Sequence, residues 1–316
     1  MWEGREVVPT GTPPRLVFAE RRVPPIRPDR EHSVALPDGR RLGAAEFGRR
    51  SDVPIVYLHG LFGSRIEPGA IERRFVNIIG LDRPGYGGTD PQPRRSLAAF
   101  GRDVRDGLDA LGVGRCVVVG ASSGAPFAIA AAQALGPRAL RLVLVAGVGG
   151  PEVLLRAGGA AEVIVRLAGE GWSRGRLLRN GFRLARSTGL DRTLLGAAVR
   201  DEAASLARHG LSAAFVHERL LQSMRVGSGR RMRGAVADAR LLTRAWDVDP
   251  GDDLAAETLV LHGDDDPAVP VEHAAWYAAR MPRARVEIVP GERHLSLCFG
   301  STDRVQRLAR DLVEAA

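Results

Sequence analysis

Short apolar runs bounded by glycine recur along the chain. Pro54–His59, Phe75–Leu81, Arg115–Gly120, Leu140–Ala146, Glu257–His262 and Ala284–Val289 each have the length of a strand. They do not alternate cleanly with polar residues, so they read as strands buried on both faces. Helix-length segments separate them: Leu97–Leu111, Ser123–Leu135, Val271–Met281 and Thr302–Ala315. Strand and helix in alternation predict an α/β fold with a mostly parallel, doubly wound sheet, built by right-handed crossovers. A hairpin precedes it. His32–Leu36 and Arg41–Phe47 flank an Asp38-Gly39 turn.

Two stretches break the alternation. Residues 1–30 are rich in Pro and Arg and lack periodicity, which predicts a tail or an arm over the surface. From Pro151 to Ala245 the pattern is amphipathic helix with glycine breaks. That predicts an all-helical insertion above the sheet end where such folds bind ligands. The expected division is therefore a tail (1–30), a core (31–150 and 246–316) and a helical insertion (151–245).

The strongest chemical signal is Gly120-Ala121-Ser122-Ser123-Gly124, between a strand and a helix. A sharp strand-to-helix turn crowds the backbone, and flanking glycines relieve it while the central serine is left exposed. Asp266 and His294 each follow a later strand. Ser, Asp and His in this chain order are the order of the α/β-hydrolase fold.

The chain thus resembles a serine-type α/β-hydrolase with a helical cap, from about Glu31 to the end. Tyr57–Arg65 resembles the family's His-Gly oxyanion loop. Asp82–Asp90 resembles its D-R-P-G-x-G-x-S-D segment, with Thr89 in place of Ser. Gly120–Pro126 resembles the nucleophile elbow. Ser123 stands where relatives often carry Gly or Met. Glu292-Arg293 precede the histidine where they often carry Gly, implying a stiffer loop.

The resemblance implies roles. Ser122 attacks, His294 takes and returns its proton, and Asp266 orients the imidazole. Asp266 is preferred to Asp264 and Asp265 because it stands three residues after Gly263, the position the family motif fills. The backbone N–H groups of Leu61 and Ser123 would form the oxyanion hole, with Leu61 preferred to Phe62. Phe62 and Leu295 are expected at the pocket floor, and Trp172, Phe182, Phe215 and Trp246 are candidate cap walls, of which Trp172 and Phe215 are selected. His59 and His262 are expected to support loops, and His209, His217 and His273 to be surface or packing residues.

The implied reaction is cleavage of an ester, lactone, thioester or activated amide through an acyl-enzyme. Acyl transfer, cyclisation or a lyase step is an alternative use of the same geometry, and a non-catalytic receptor is another. A serine nucleophile argues against epoxide hydrolases and haloalkane dehalogenases, which need a carboxylate there. Neither a Walker loop nor a strand followed by G-x-G-x-x-G occurs, and no two histidines show ligand spacing, so no cofactor and no metal are expected.

Composition changes less. The 316 residues are 45% hydrophobic and 26% charged, which excludes a disordered chain. No run is long enough to span a membrane, and Met1–Arg30 has no apolar signal core. Two cysteines form no disulfide framework. A cytoplasmic location is the default expectation.

The net charge of +8 comes from 45 Lys+Arg against 37 Asp+Glu, and every basic residue is arginine. Arginine without lysine suggests codon bias. The arginines do not run together with interleaved aromatics, so no nucleic-acid partner is expected. Their placement is uneven. Residues 151–245 hold 17 Arg against 8 acids, leaving 28 against 29 elsewhere. An insertion of net +9 suggests an anionic small-molecule substrate, or one borne on an acidic carrier protein.

Overall fold

A computed structural model describes residues 23–70, 76–168, 180–181, 183–185, 187–228, 232–251 and 254–314. Eight strands form one sheet: β1 (Arg30–Ala35), β2 (Arg41–Phe47), β3 (Ile55–Leu58), β4 (Ile78–Leu81), β5 (Cys116–Ala121), β6 (Ala139–Val145), β7 (Glu257–Gly263) and β8 (Arg285–Val289). Their order is β1-β2-β4-β3-β5-β6-β7-β8. Strand β2 pairs antiparallel with β1 and β4, and every later pair is parallel. This is the α/β-hydrolase fold.

The period of two along each strand sorts its side chains into two cores. Val56, Leu58 and Val118 enter one apolar cluster, with Phe100 and Phe127. Ile55, Tyr57, Val117 and Val119 enter the other, with Leu297 and Val305. The first face is covered by α1 (Leu97–Ala110) and α2 (Ala125–Leu135). Helix α1 starts at Ser96, whose hydroxyl accepts from Ala99 N at 3.1 Å, the expected N-cap bond.

Between β6 and β7 the described residues form only helices. These are α3 (Pro151–Leu154), α4 (Gly159–Ala168), α5 (Leu190–Asp201), α6 (Ala203–Arg208), α7 (Ala213–Gly227) and α8 (Arg233–Leu242). Helix α9 (Glu272–Arg280) follows β7. After β8 come α10 (His294–Gly300) and α11 (Thr302–Glu314).

Several boundaries differ from the sequence reading. Strand β1 starts at Arg30, inside the segment expected to be tail, because Arg30 pairs with Glu46 across the hairpin. Before it, Ile26 N donates to Gln222 Oε1 at 2.7 Å, which ties residues 23–29 to α7. Of the expected run Phe75–Leu81, Phe75 lies outside the described residues, and β4 itself begins at Ile78. Ser122–Gly124 is a 3₁₀ turn, so α2 begins at Ala125 rather than Ser123. Helix α10 was not expected at all. Its residues, HLSLCFG, are too few to display a helical period.

Candidate active site

The loops after β3, β5, β7 and β8 meet at one edge of the sheet. Leu58 is in register with Gly120, so the two neighbouring strands release their loops side by side. After β5 the chain turns through Ser122 with φ at 53°, a conformation L-residues rarely hold. Both flanking glycines are required by space. A Cβ on Gly120 would lie 2.7 Å from Ala128 Cβ, and one on Gly124 would collide with the carbonyls of Leu58 and His59.

The turn aims Ser122 Oγ at His294 Nε2, 3.1 Å away. His294 Nδ1 lies 2.8 Å from Asp266 Oδ2. The other Asp266 oxygen accepts from Ala268 N and Val269 N, both at 2.8 Å. Burial alone would raise that carboxyl, but His294 and these N–H groups hold it below its ordinary range. Burial pulls the imidazole down. The Asp266 charge and hydrogen bond outweigh it, and His294 ends above its ordinary 6.5.

The neighbouring acids turn elsewhere. Asp264 Oδ1 accepts from Gly291 N at 2.6 Å, and Asp265 Oδ2 pairs with Arg293 Nη1 at 2.9 Å. The two supporting histidines behave as expected. His59 Nδ1 donates to Gly60 O at 2.8 Å, and burial holds its ring neutral. His262 Nε2 donates to Val269 O at 2.7 Å, bracing the loop that presents Asp266. His273 is not on the surface. Its Nδ1 accepts from Gly149 N at 2.9 Å, and burial lowers its pKa to about 4.

Ser122 opens into a cavity of about 490 Å³. Leu61, Phe62, Ser123 and Leu295 line it. Phe62 takes φ 68°, so the loop beside Ser122 is itself held in an uncommon backbone state. Ser123 is the second residue of its turn, where backbone N–H groups have no partner inside the turn.

Phe215 does not belong to this cavity. It lines a separate open cleft of about 1100 Å³ with Arg219, whose guanidinium lies 4.9 Å from its ring. The phase of α7 turns Phe215 away from Ser122, and aliphatic side chains take the wall instead: Ile164, Leu194, Leu220 and Met224. Trp246 packs edge-on against Trp276 at 5.4 Å. Trp172 and Phe182 lie outside the described residues.

Some residues at this site carry no sequence signal. Glu67 lines the cavity. Buried Glu202, between α5 and α6, accepts from Leu295 N at 2.7 Å and Ser296 N at 3.0 Å. It therefore caps the helix that begins with His294. Buried Arg83 pairs with Asp238 of α8 at 2.8 Å and donates to the carbonyls of His59 and Gly60. It braces the loop opposite Ser122. These partners lie far apart in the chain, and of them only Arg83 stands in a segment, Asp82–Asp90, that the sequence singled out.

A family model for the alpha/beta hydrolase fold matches residues 53–301. The chain belongs to the α/β-hydrolase fold family. It is similar to esterase YbfF of Escherichia coli (strain K12), 24% identical over 249 residues, or 78% of this chain and 87% of that protein. Among solved structures it resembles an esterase from Rhodococcus sp. ECU1013, with a TM-score of 0.62, 20% identity, and coverage of 90% of this chain and 98% of that one. An α/β-hydrolase-fold protein from Nakamurella multipartita has the same TM-score, 23% identity, and coverage of 90% and 99%.

Proposed function

We propose that this chain is a serine hydrolase that cleaves an ester, lactone, thioester or activated amide of a small molecule. One observation carries the reading. Ser122, His294 and Asp266 form a continuous hydrogen-bonded relay, and Ser122 and His294 line a mainly apolar cavity. The esterase relatives support the same class of chemistry.

Ser122 Oγ attacks the carbonyl carbon as its proton passes to His294 Nε2. Asp266 holds the Nδ1–H tautomer and stabilises the imidazolium. The N–H groups of Leu61 and Ser123 receive the oxyanion, a contribution of about 3 kcal/mol per donor in comparable sites. His294 then protonates the leaving group. Water attacks the acyl-enzyme by the same relay in reverse. Residues 151–245 act as the cap that chooses the acyl or alcohol group. The excess positive charge supports an anionic partner outside the cavity, such as an acidic carrier protein, because no arginine among the described residues lines the cavity.

The test is turnover of p-nitrophenyl butyrate and labelling by a fluorophosphonate. Wild type is expected to do both. Ser122→Ala is expected to lose labelling and at least ~10³-fold in kcat/KM. A wild-type protein that neither turns over the ester nor accepts the label overturns the reading.

A further inference from the structure

Glu67 is a carboxyl group that hydrogen-bonds to none of Ser122, His294 and Asp266. It begins the 3₁₀ turn Glu67–Ala70, just past the loop that faces Ser122, and it lines the same cavity. Its two oxygens are treated unequally. Oε1 accepts from Tyr57 OH at 2.7 Å and, more weakly, from Gly60 N at 3.4 Å. Oε2 has one contact among the described residues, Ser223 Oγ at 3.5 Å, the outer limit of a hydrogen bond. The group packs against the loop after β3. Gly63 has no room for a Cβ, because that atom would meet Glu67 Oε2.

A carboxylate placed in an apolar cavity without a partner is costly. Burial pushes Glu67 above its ordinary 4.5 despite the Tyr57 bond and the through-space attraction of Arg83, and no cation among the described residues forms an ion pair with it. The other charged or titratable residues in the cavity wall are Asp191 and His294. The site is thus half-satisfied as it stands. A ligand that brings a hydrogen-bond donor, and best of all a cationic one, would complete it. A ligand that brings a carboxylate would meet repulsion.

We propose that Glu67 Oε2 is a specificity-determining acceptor, selecting substrates whose acyl or alcohol part carries a hydroxyl or amine and rejecting those that carry a carboxylate. This rests on the hydrolase reading above, so the experiment separates the two. Phenylboronic acid probes the relay directly. Its boron accepts the Ser122 oxygen and becomes a tetrahedral anion, while the serine proton moves to His294. Inhibition constants are compared for the parent and its 3-hydroxymethyl, 3-aminomethyl and 3-carboxy derivatives.

In wild type the two donor-bearing boronates are expected to bind about tenfold or more tighter than the parent, and the carboxylate about tenfold or more weaker. Glu67→Gln keeps an acceptor oxygen without the charge, so it should retain the hydroxymethyl preference and lose the additional gain of the amine. Glu67→Leu should lose both. Equal constants for all four compounds in wild type overturn the inference and leave the hydrolase reading standing. So does an ordering that survives in Glu67→Leu. Failure of all four to inhibit wild type overturns both. The wild-type ordering decides the matter even where a variant fails to fold.

Discussion

His294 stands between opposing influences. Burial favours its neutral ring, while Asp266, Glu202 and Glu67 favour the imidazolium, and the acids prevail. A general base must be neutral to accept the serine proton. Activity should therefore be absent at low pH and rise through a limb lying above 6.5, the ordinary histidine value. The pH profile of kcat/KM for p-nitrophenyl butyrate checks this. Asp266→Asn should move the limb to lower pH, because burial then meets less opposition. Glu202 acts on the same ring both through space and through the helix it caps. Glu202→Ala should lower kcat/KM about tenfold and shift the limb downward, a loss in keeping with an N-cap worth ~1–2 kcal/mol. Glu202→Gln should recover most of the rate, since it still accepts from Leu295 and Ser296, but not the position of the limb. A merely structural role for Glu202 would leave the limb in place in both variants.

At the scale of elements, the cavity depends on helices that touch loops without side chains between them. Gly227, the last residue of α7, packs so closely that a Cβ there would collide with the Gly63 carbonyl. Gly234 of α8 lies as close to Tyr86, and its N–H donates to Gly85 O at 3.2 Å. Gly227→Ala must move the loop carrying Leu61. It should cost about 1–3 kcal/mol of stability, read as a lower urea midpoint, together with a fall in kcat rather than KM. None of this is legible in a single sequence. What is legible is local. The buried strands announce themselves as apolar runs, and Ser122, Asp266 and His294 each stand just past one of them. Glu67, Glu202 and Asp238 follow no period and find their partners only after the chain has folded. Phe215 shows the converse failure, since a helical aromatic declares that it is buried but not on which side. Helix α10 was missed because its seven residues cannot display a period.

Across the whole molecule, charge and cavity are separated. Residues 151–245 carry 17 Arg against 8 acids, yet exposed side chains such as Arg156, Arg166, Arg192 and Arg200 face solvent. The charged side chains that line the cavity among the described residues are acidic, apart from His294. A field of this kind acts on encounter rather than on the bound group. For a neutral p-nitrophenyl ester, kcat/KM should stay level as salt rises. For the same acyl group presented on an acidic carrier protein it should fall, by about tenfold between low and physiological ionic strength. A level response with the carrier would remove any steering role for the arginines.

The buried Arg83–Asp238 pair adds cohesion between sheet and helices. Removing one partner of such a pair typically costs about 3–5 kcal/mol. The histidine segment is bound still more broadly. Glu202 holds its backbone, Asp201 pairs with Arg293, and Arg208 and His209 reach Glu292. The histidine segment is thus tethered to the helices of residues 190–208 as well as to the strand that precedes it. Replacing residues 151–245 with a foreign segment to change the walls of the cavity would therefore also slacken the hold on His294. The helical segment and the histidine are coupled, and any exchange that preserves turnover has to carry a hydrogen-bond acceptor at position 202 with it.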